Sequence, residues 1–106
     1  MSVLGKIASA DIAAADTAQL LAQVDGDAIV NILCCNRNSA DITIRMAIGP
    51  STGSSPAAAD WIEYDVLVAA NQPMERTGLA VSKNEKLWVQ ASSLNVSFRA
   101  HGVPAT

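Results

Sequence analysis

From residue 28 onward, apolar and polar side chains alternate with a period close to two, in short runs separated by turn-forming residues. A period of two places successive side chains on opposite sides of an extended backbone, so each run is a strand with one face to a core. The clearest case is Ile42, Ile44, Met46 and Ile48 alternating with Thr43, Arg45 and Ala47. Ile29 to Cys35 is a continuous apolar run broken only by Asn31, a pattern that suits a strand buried on both sides. Residues 29–35 and 42–48 are expected to pair as a hairpin across 36–41. Further strands are expected at 61–68, 74–79, 86–91 and 94–100, with turns at 71–73 and 82–85. Pro50, Gly53 and Pro56 mark 49–56 as an exposed loop, and Ala57 to Ala59 adds one helical turn. The sum is an all-β chain: an antiparallel β-sandwich or small barrel of about seven strands with an extended N-terminal arm.

The first 28 residues break the pattern. Eight alanines fall between Ala8 and Ala28, interspersed with Asp11, Asp16, Asp25 and Asp27. Alanine and leucine favour helix, and a helix over 10–22 fits the propensities as well as a strand over 18–24 does. The expected organisation is an N-terminal arm, 1–17, followed by one β-sandwich domain, 18–106. An arm that is too apolar for a solvated tail and too featureless for a core is expected to dock on a neighbour. Its removal should then impair assembly more than folding.

Composition limits what such a domain can do. Half of the 106 residues are apolar, but 19 of them are alanine, which leaves enough bulk for one modest core. Seven Lys and Arg against ten Asp and Glu leave a net charge of -3, without the dense basic stripe that pairs with phosphates, so no nucleic-acid partner is expected. No apolar run has the roughly 18–20 residues that cross a bilayer, and the opening Met1 to Lys6 lacks a basic stretch followed by a long apolar core. Synthesis and retention in a cytoplasm are expected, with no membrane partner.

Few residues offer chemistry. The single histidine, His101, has Arg99 and Ser97 as polar-face neighbours and no motif that links it to an acid. Two cysteines that are adjacent lack the ligand spacing of a zinc site. Asp60, Glu63 and Asp65 form the densest acidic cluster, and salt bridges to Arg45 and Arg76 account for them better than glycoside hydrolysis does. No catalytic, metal or cofactor site is expected, and no small-molecule substrate. Trp61, Tyr64 and Trp88 are the aromatic candidates for a carbohydrate platform, but strand geometry puts Trp61 and Tyr64 on opposite faces. Cys34 and Cys35 must also point to opposite faces of their strand. Either both are reduced and buried, or one sits in the core and the other at a subunit contact able to form an intermolecular disulfide.

Four blocks carry a resemblance. They are Val30 to Asn38 followed by Ile42 to Ile48; Trp61 to Asp65; Ala70 to Gly78; and Ala91 to Gly102. In this order, and with the opening Leu4-Gly5-Lys6, the chain resembles the small virion structural proteins of tailed bacteriophages, of the capsid decoration, neck-collar or tail-fibre type. It departs from their pattern at Leu20 to Val24, where an extended stretch rich in Thr, Tyr and Pro is usual, and in having two cysteines ahead of Asn36-Arg37 rather than one. The resemblance implies a non-enzymatic homo-oligomer in a virion, assembled in the host cytoplasm, whose partners are itself and other virion proteins. Small domains gain stability from association, and the two apolar faces of 29–35 need cover from a second sheet and invite it from a neighbouring subunit. A closed ring, a trimer or a surface lattice is expected. The candidate interface residues are Leu4, Ile7, Ile12, Pro50, Pro56 and Trp61. The alternative is a small β-sandwich that binds carbohydrate on a virion or cell surface.

Overall fold

Two four-stranded antiparallel sheets pack face to face in the computed structural model, which describes residues 4–50 and 52–105. Among the described residues there are eight strands: β1 (Gly5–Asp11), β2 (Gln19–Gln23), β3 (Ala28–Asn36), β4 (Ile42–Gly49), β5 (Trp61–Val68), β6 (Pro73–Val81), β7 (Lys86–Ala91) and β8 (Val96–Pro104). One sheet has the order β1-β8-β3-β6 and the other β2-β7-β4-β5. Consecutive strands mostly alternate between sheets, and only β4 and β5 are sequential neighbours within one. This order is that of a jelly roll, an eight-stranded double Greek key.

The core lies between the sheets. Val30, Ile32 and Cys34 of β3 meet Ile42, Ile44 and Met46 of β4, with Phe98 and Ala100 of β8 and Leu87 and Val89 of β7 beside them. These are the inward positions that the alternation marks. Both inner ladders are regular: β3–β8 runs without a shift from Ala28–Pro104 to Asn36–Val96, and β4–β7 from Ile44–Ala91 to Gly49–Lys86. At Gly102 the strands crowd, and a Cβ there would lie 2.2 Å from the Ile29 carbonyl oxygen.

Five expectations need correction. The segment read as a loose arm contributes β1, which pairs with β8 and buries Ile7 and Ile12 in the core. A helix over 10–22 does not form; the backbone is extended on either side of a turn near Asp16, whose φ is 55°. β3 and β4 do not make a hairpin, because the 36–41 turn carries the chain from one sheet to the other. β3 is buried on one side only: Ile29 and Cys35 are exposed on its outer face, and Asn31 and Leu33 half-buried. The last strand also starts later than 94, since Asn95 takes a left-handed turn conformation and leaves Leu94 exposed.

Asn36 ends β3 and pins that end of the sandwich. It is fully buried, and its Nδ2 donates to the carbonyls of Ala40, Val68 and Ala69 at 3.0, 3.2 and 3.1 Å. Its Oδ1 accepts from the Asn38 amide at 2.9 Å and from Asn38 Nδ2 at 3.0 Å. Asn38 Nδ2 in turn donates to the Leu94 carbonyl at 2.9 Å. The Asn36 amide thus ties the β3–β4 connection to the β5–β6 connection directly and, through Asn38, to the β7–β8 connection.

Candidate functional site

The alternation of β3 places its two thiols oppositely. Cys34 is in the core, and burial pushes its pKa up to about 12, with the neighbouring Cys35 a smaller cause. Cys35 is exposed on the outer face of the β1-β8-β3-β6 sheet. Both are free thiols. Around Cys35 lies a hollow of about 300 Å³ lined by Ser9, Leu33, Pro73, Ser97 and Arg99. Leu33 also borders a second hollow beside Pro73, Met74 and Glu75. Across the strands, register sets Arg99 of β8, Leu33 of β3 and Glu75 of β6 in one row. Toward the other end of the same face, Ile29 and Val103 pair side by side, 38% and 51% exposed. The outer face of β3 is therefore apolar at Ile29, Leu33 and Cys35, interrupted by Asn31, with polar flanks.

The flanks differ in sign. Lys6 pairs with His101 in the β1–β8 ladder, and Arg99 lies two residues before His101 on β8, so that flank is cationic. Glu75 is the acidic group on the opposite flank. Lys6, Glu75 and Arg99 make no ion pair among the described residues. Asp11, also on β1, is held by Arg37 at 2.8 Å. His101 Nε2 lies 3.4 Å from Asn31 Nδ2, and the Asn31 Oδ1 accepts from the Gly78 amide at 2.9 Å.

The outer face of the second sheet carries a different cluster. β5 is bulged twice against β4: Ile44–Val66 is followed by Met46–Glu63 and then by Ala47–Trp61, so β5 spends an extra residue at each step. Asp65, at φ 54°, sits in the first bulge. Each extra residue reverses the facing of the side chains beyond it. Trp61 and Tyr64 consequently share a face, contrary to the expectation from simple alternation, with ring centroids 5.9 Å apart in an edge-to-face arrangement. The Arg45 guanidinium stacks 3.8 Å from the Tyr64 ring centroid and 5.8 Å from that of Trp61. It also pairs with Asp65 through Nε at 2.7 Å and Nη2 at 3.2 Å. That hydrogen bond holds the Asp65 carboxyl below the usual carboxylate range and raises the guanidinium.

The acidic cluster is thereby accounted for. Asp65 pairs with Arg45 and Glu63 with Arg76, the two arginines that the sequence offers as partners. Arg76 belongs to β6, so its pair with Glu63 of β5 bridges the two sheets at their open side. Asp60 accepts from the Ala57 amide at 2.9 Å and closes the helical turn at Ala58–Asp60. Trp88 is buried apart from the core cluster with its Nε1 near Gly49, and Lys86 Nζ donates to the Gly53 carbonyl at 2.8 Å. Among the described residues, no group of three or more His, Cys, Asp or Glu is placed to hold a metal.

The six candidate interface residues do not converge. Ile7 and Ile12 are core residues and leave the interface; their role is to fix β1. Leu4 and Pro50 are exposed, Pro56 and Trp61 half-buried. Leu33, Glu75 and Arg99 carry no signal in the sequence, since only cross-strand register puts them in one row. Comparison with protein-family models, with curated proteins and with solved structures gives no match.

Proposed function

We propose that the chain is a non-enzymatic virion structural subunit of a tailed bacteriophage, a decoration, collar or fibre-attachment protein that acts by repeated protein–protein contact. The supporting observation is the strand order β1-β8-β3-β6 over β2-β7-β4-β5, the jelly roll used by viral capsid subunits. A fold hosts several functions, so the surface must agree with it. The surface supports the reading: Ile29, Leu33, Cys35 and Val103 offer apolar side chains for a lateral contact, and two of the three acids of the densest cluster, Glu63 and Asp65, are tied into ion pairs. Partners are other copies of the chain and other virion proteins, and the location is the particle. Mass spectrometry of density-gradient particles from lysed cells that carry the gene tests this. The chain is expected in the particle fraction in fixed ratio to the major subunits. Recovery from the soluble fraction alone would overturn the proposal.

A second reading, a carbohydrate-binding module, draws on the other outer face. Jelly rolls also serve as lectin domains. Tyr64, 57% exposed over the Arg45–Asp65 pair and beside Trp61, offers an aromatic ring next to a donor–acceptor pair. Binding on a glycan array that Tyr64→Ala abolishes would favour this reading; an array without hits removes it.

A further inference from the structure

Of the surfaces open to a partner, the strand edges are the poorest. Each of β1, β2, β5 and β6 is an edge strand, and each ladder it forms contains a register shift. Bulged edges do not template continuous pairing. The outer face of the β1-β8-β3-β6 sheet is different. Its apolar side chains, Leu33 and Cys35 of β3 with Ile29 beyond Asn31, have on one flank an acid and on the other cations that make no ion pair among the described residues.

This asymmetry selects an occupant. When two copies stack face to face, the twofold axis lies in the plane between them. An axis perpendicular to the strands sets each flank on its own kind, Arg99 against Arg99 and Glu75 against Glu75. An axis parallel to β3 sets the Glu75 flank of each copy against the Lys6 and Arg99 flank of the other, twice over. We infer that this face binds a second copy of the chain about a twofold axis parallel to β3, with Leu33 and Cys35 at the centre and reciprocal pairing of Glu75 with Arg99 and Lys6 at the sides. With the axis along β3, Arg99 of β8 lies over Glu75 on β6 of the other copy, and the hollows on either side of Leu33 leave the two facing leucines room beside each other. Three strands of each copy then lie over three, with β1 and its Lys6 at the rim beside the other copy's Glu75 flank.

The area sets the strength. Three strands ~4.8 Å apart, each contributing about seven residues at ~3.3 Å, give a footprint of roughly 330 Å² a side. A standard interface covers about 800 Å² a side. The pair is therefore weak and concentration-dependent in solution, a contact that gains from repetition on a particle. Cys35 comes close to its own copy across the axis, but sheets that stack ~10 Å apart hold the two Cα atoms beyond disulfide reach, so the pair needs no oxidation.

This inference rests on the reading of the chain as a self-associating subunit and names the surface used. Sedimentation velocity of the wild-type chain and of Glu75→Arg and Arg99→Glu variants tests it, with circular dichroism to verify folding. Each reversal alone is expected to weaken the dimer about tenfold or more, because both symmetry-related pairs become repulsive. An equimolar mixture of the two variants should associate again, as each supplies the charges the other lacks. A short bismaleimide should link Cys35 to Cys35 in the wild-type dimer, and Cys35→Ala should abolish the link. A chain that is monomeric throughout, or a dimer that neither reversal weakens, overturns the inference. A chain found in particles yet monomeric in solution would overturn this contact and leave the structural role standing; one that dimerises as described but is absent from particles would do the reverse.

Discussion

Replacing Asn36 by alanine is the sharpest test of how this sandwich is closed. Asn36 is the one buried polar residue among those described, and its Nδ2 has two protons for three carbonyls, those of Ala40, Val68 and Ala69. Its Oδ1 accepts two further bonds from Asn38. Counting two donated and two accepted bonds at about 1 kcal/mol each gives about 4 kcal/mol. Ala40 and Ala69 are exposed, so their carbonyls regain water after the substitution, which lowers the expected loss to about 3 kcal/mol. In a domain of this size that corresponds to a fall in Tm of roughly 12–20 °C. Urea denaturation should show a lower midpoint at unchanged slope, since the exposed area on unfolding is the same. Asn36→Asp should be worse at neutral pH, because its carboxylate would face carbonyl oxygens. The folded-state pKa of that aspartate would be raised above the unfolded value of about 3.9, so the folded state would bind the extra proton. The penalty is then absent below about pH 3.9 and grows as pH rises through and beyond that value. Asn36→Ala within about 1 kcal/mol of wild type would refute the pinning role.

Thiol titration should count one reactive cysteine in the native protein and two after denaturation, because the Cys34 thiol is buried with its pKa pushed up to about 12. Two native equivalents at equal rates would contradict the facing of β3. Gly102→Ala drives a methyl group into the Ile29 carbonyl and should cost about 2 kcal/mol or more, read by calorimetry; a neutral outcome would mean β3 and β8 pack less closely than 2.2 Å implies. Asp65 should titrate below the ordinary carboxylate range by NMR and move back up in Arg45→Gln. Its depressed folded pKa makes a stabilising contribution above the unfolded value that is lost as pH falls through the folded one, and Asp65→Asn, which tolerates φ 54°, should remove that acid-side dependence.

Where the ladders are regular, alternation in the sequence is a faithful guide. β3 and β4 bury every second residue along most of their length, and the separation of Cys34 from Cys35 follows from that alone. Bulges are where it fails. In β1 the register shifts between Lys6 and Ala8, so the inward side passes from Ile7 to Ala8, Ala10 and Ile12, and no period of two survives to be seen. The small outward residues Ser9 and Asp11 complete the disguise as an arm. In β5 the double bulge brings Trp61 and Tyr64 together from positions three apart. The false hairpin has another origin. Both sheets face one core, so the pattern of buried positions reports that a strand has an inside but not which sheet it joins. Ion pairing was legible because Arg45 and Arg76 were the cations nearest in kind to the acidic cluster; the row of Arg99, Leu33 and Glu75 was not, because it exists only once β8, β3 and β6 are in register.

The distribution of irregularity also bears on how the chain associates, and a deletion tests it. All four edge strands are bulged while both central ladders are not, which spoils the edges as templates and keeps the broad faces flat. β1 has a double duty in this arrangement: it seals the core with Ile7 and Ile12 and extends the outer face with Lys6. Removing residues 1–12 should therefore expose β8 as a new, regular edge and strip two aliphatic side chains from the core. Each such side chain is worth about 2–4 kcal/mol when truncated to alanine. A domain this small has a total stability of about 5–15 kcal/mol, so the shortened chain should be largely unfolded or aggregated rather than a folded monomer. Circular dichroism and light scattering distinguish these outcomes. A shortened chain that keeps its cooperative thermal transition and fails only to associate would show that β1 is a docking arm after all, and that the core closes without it.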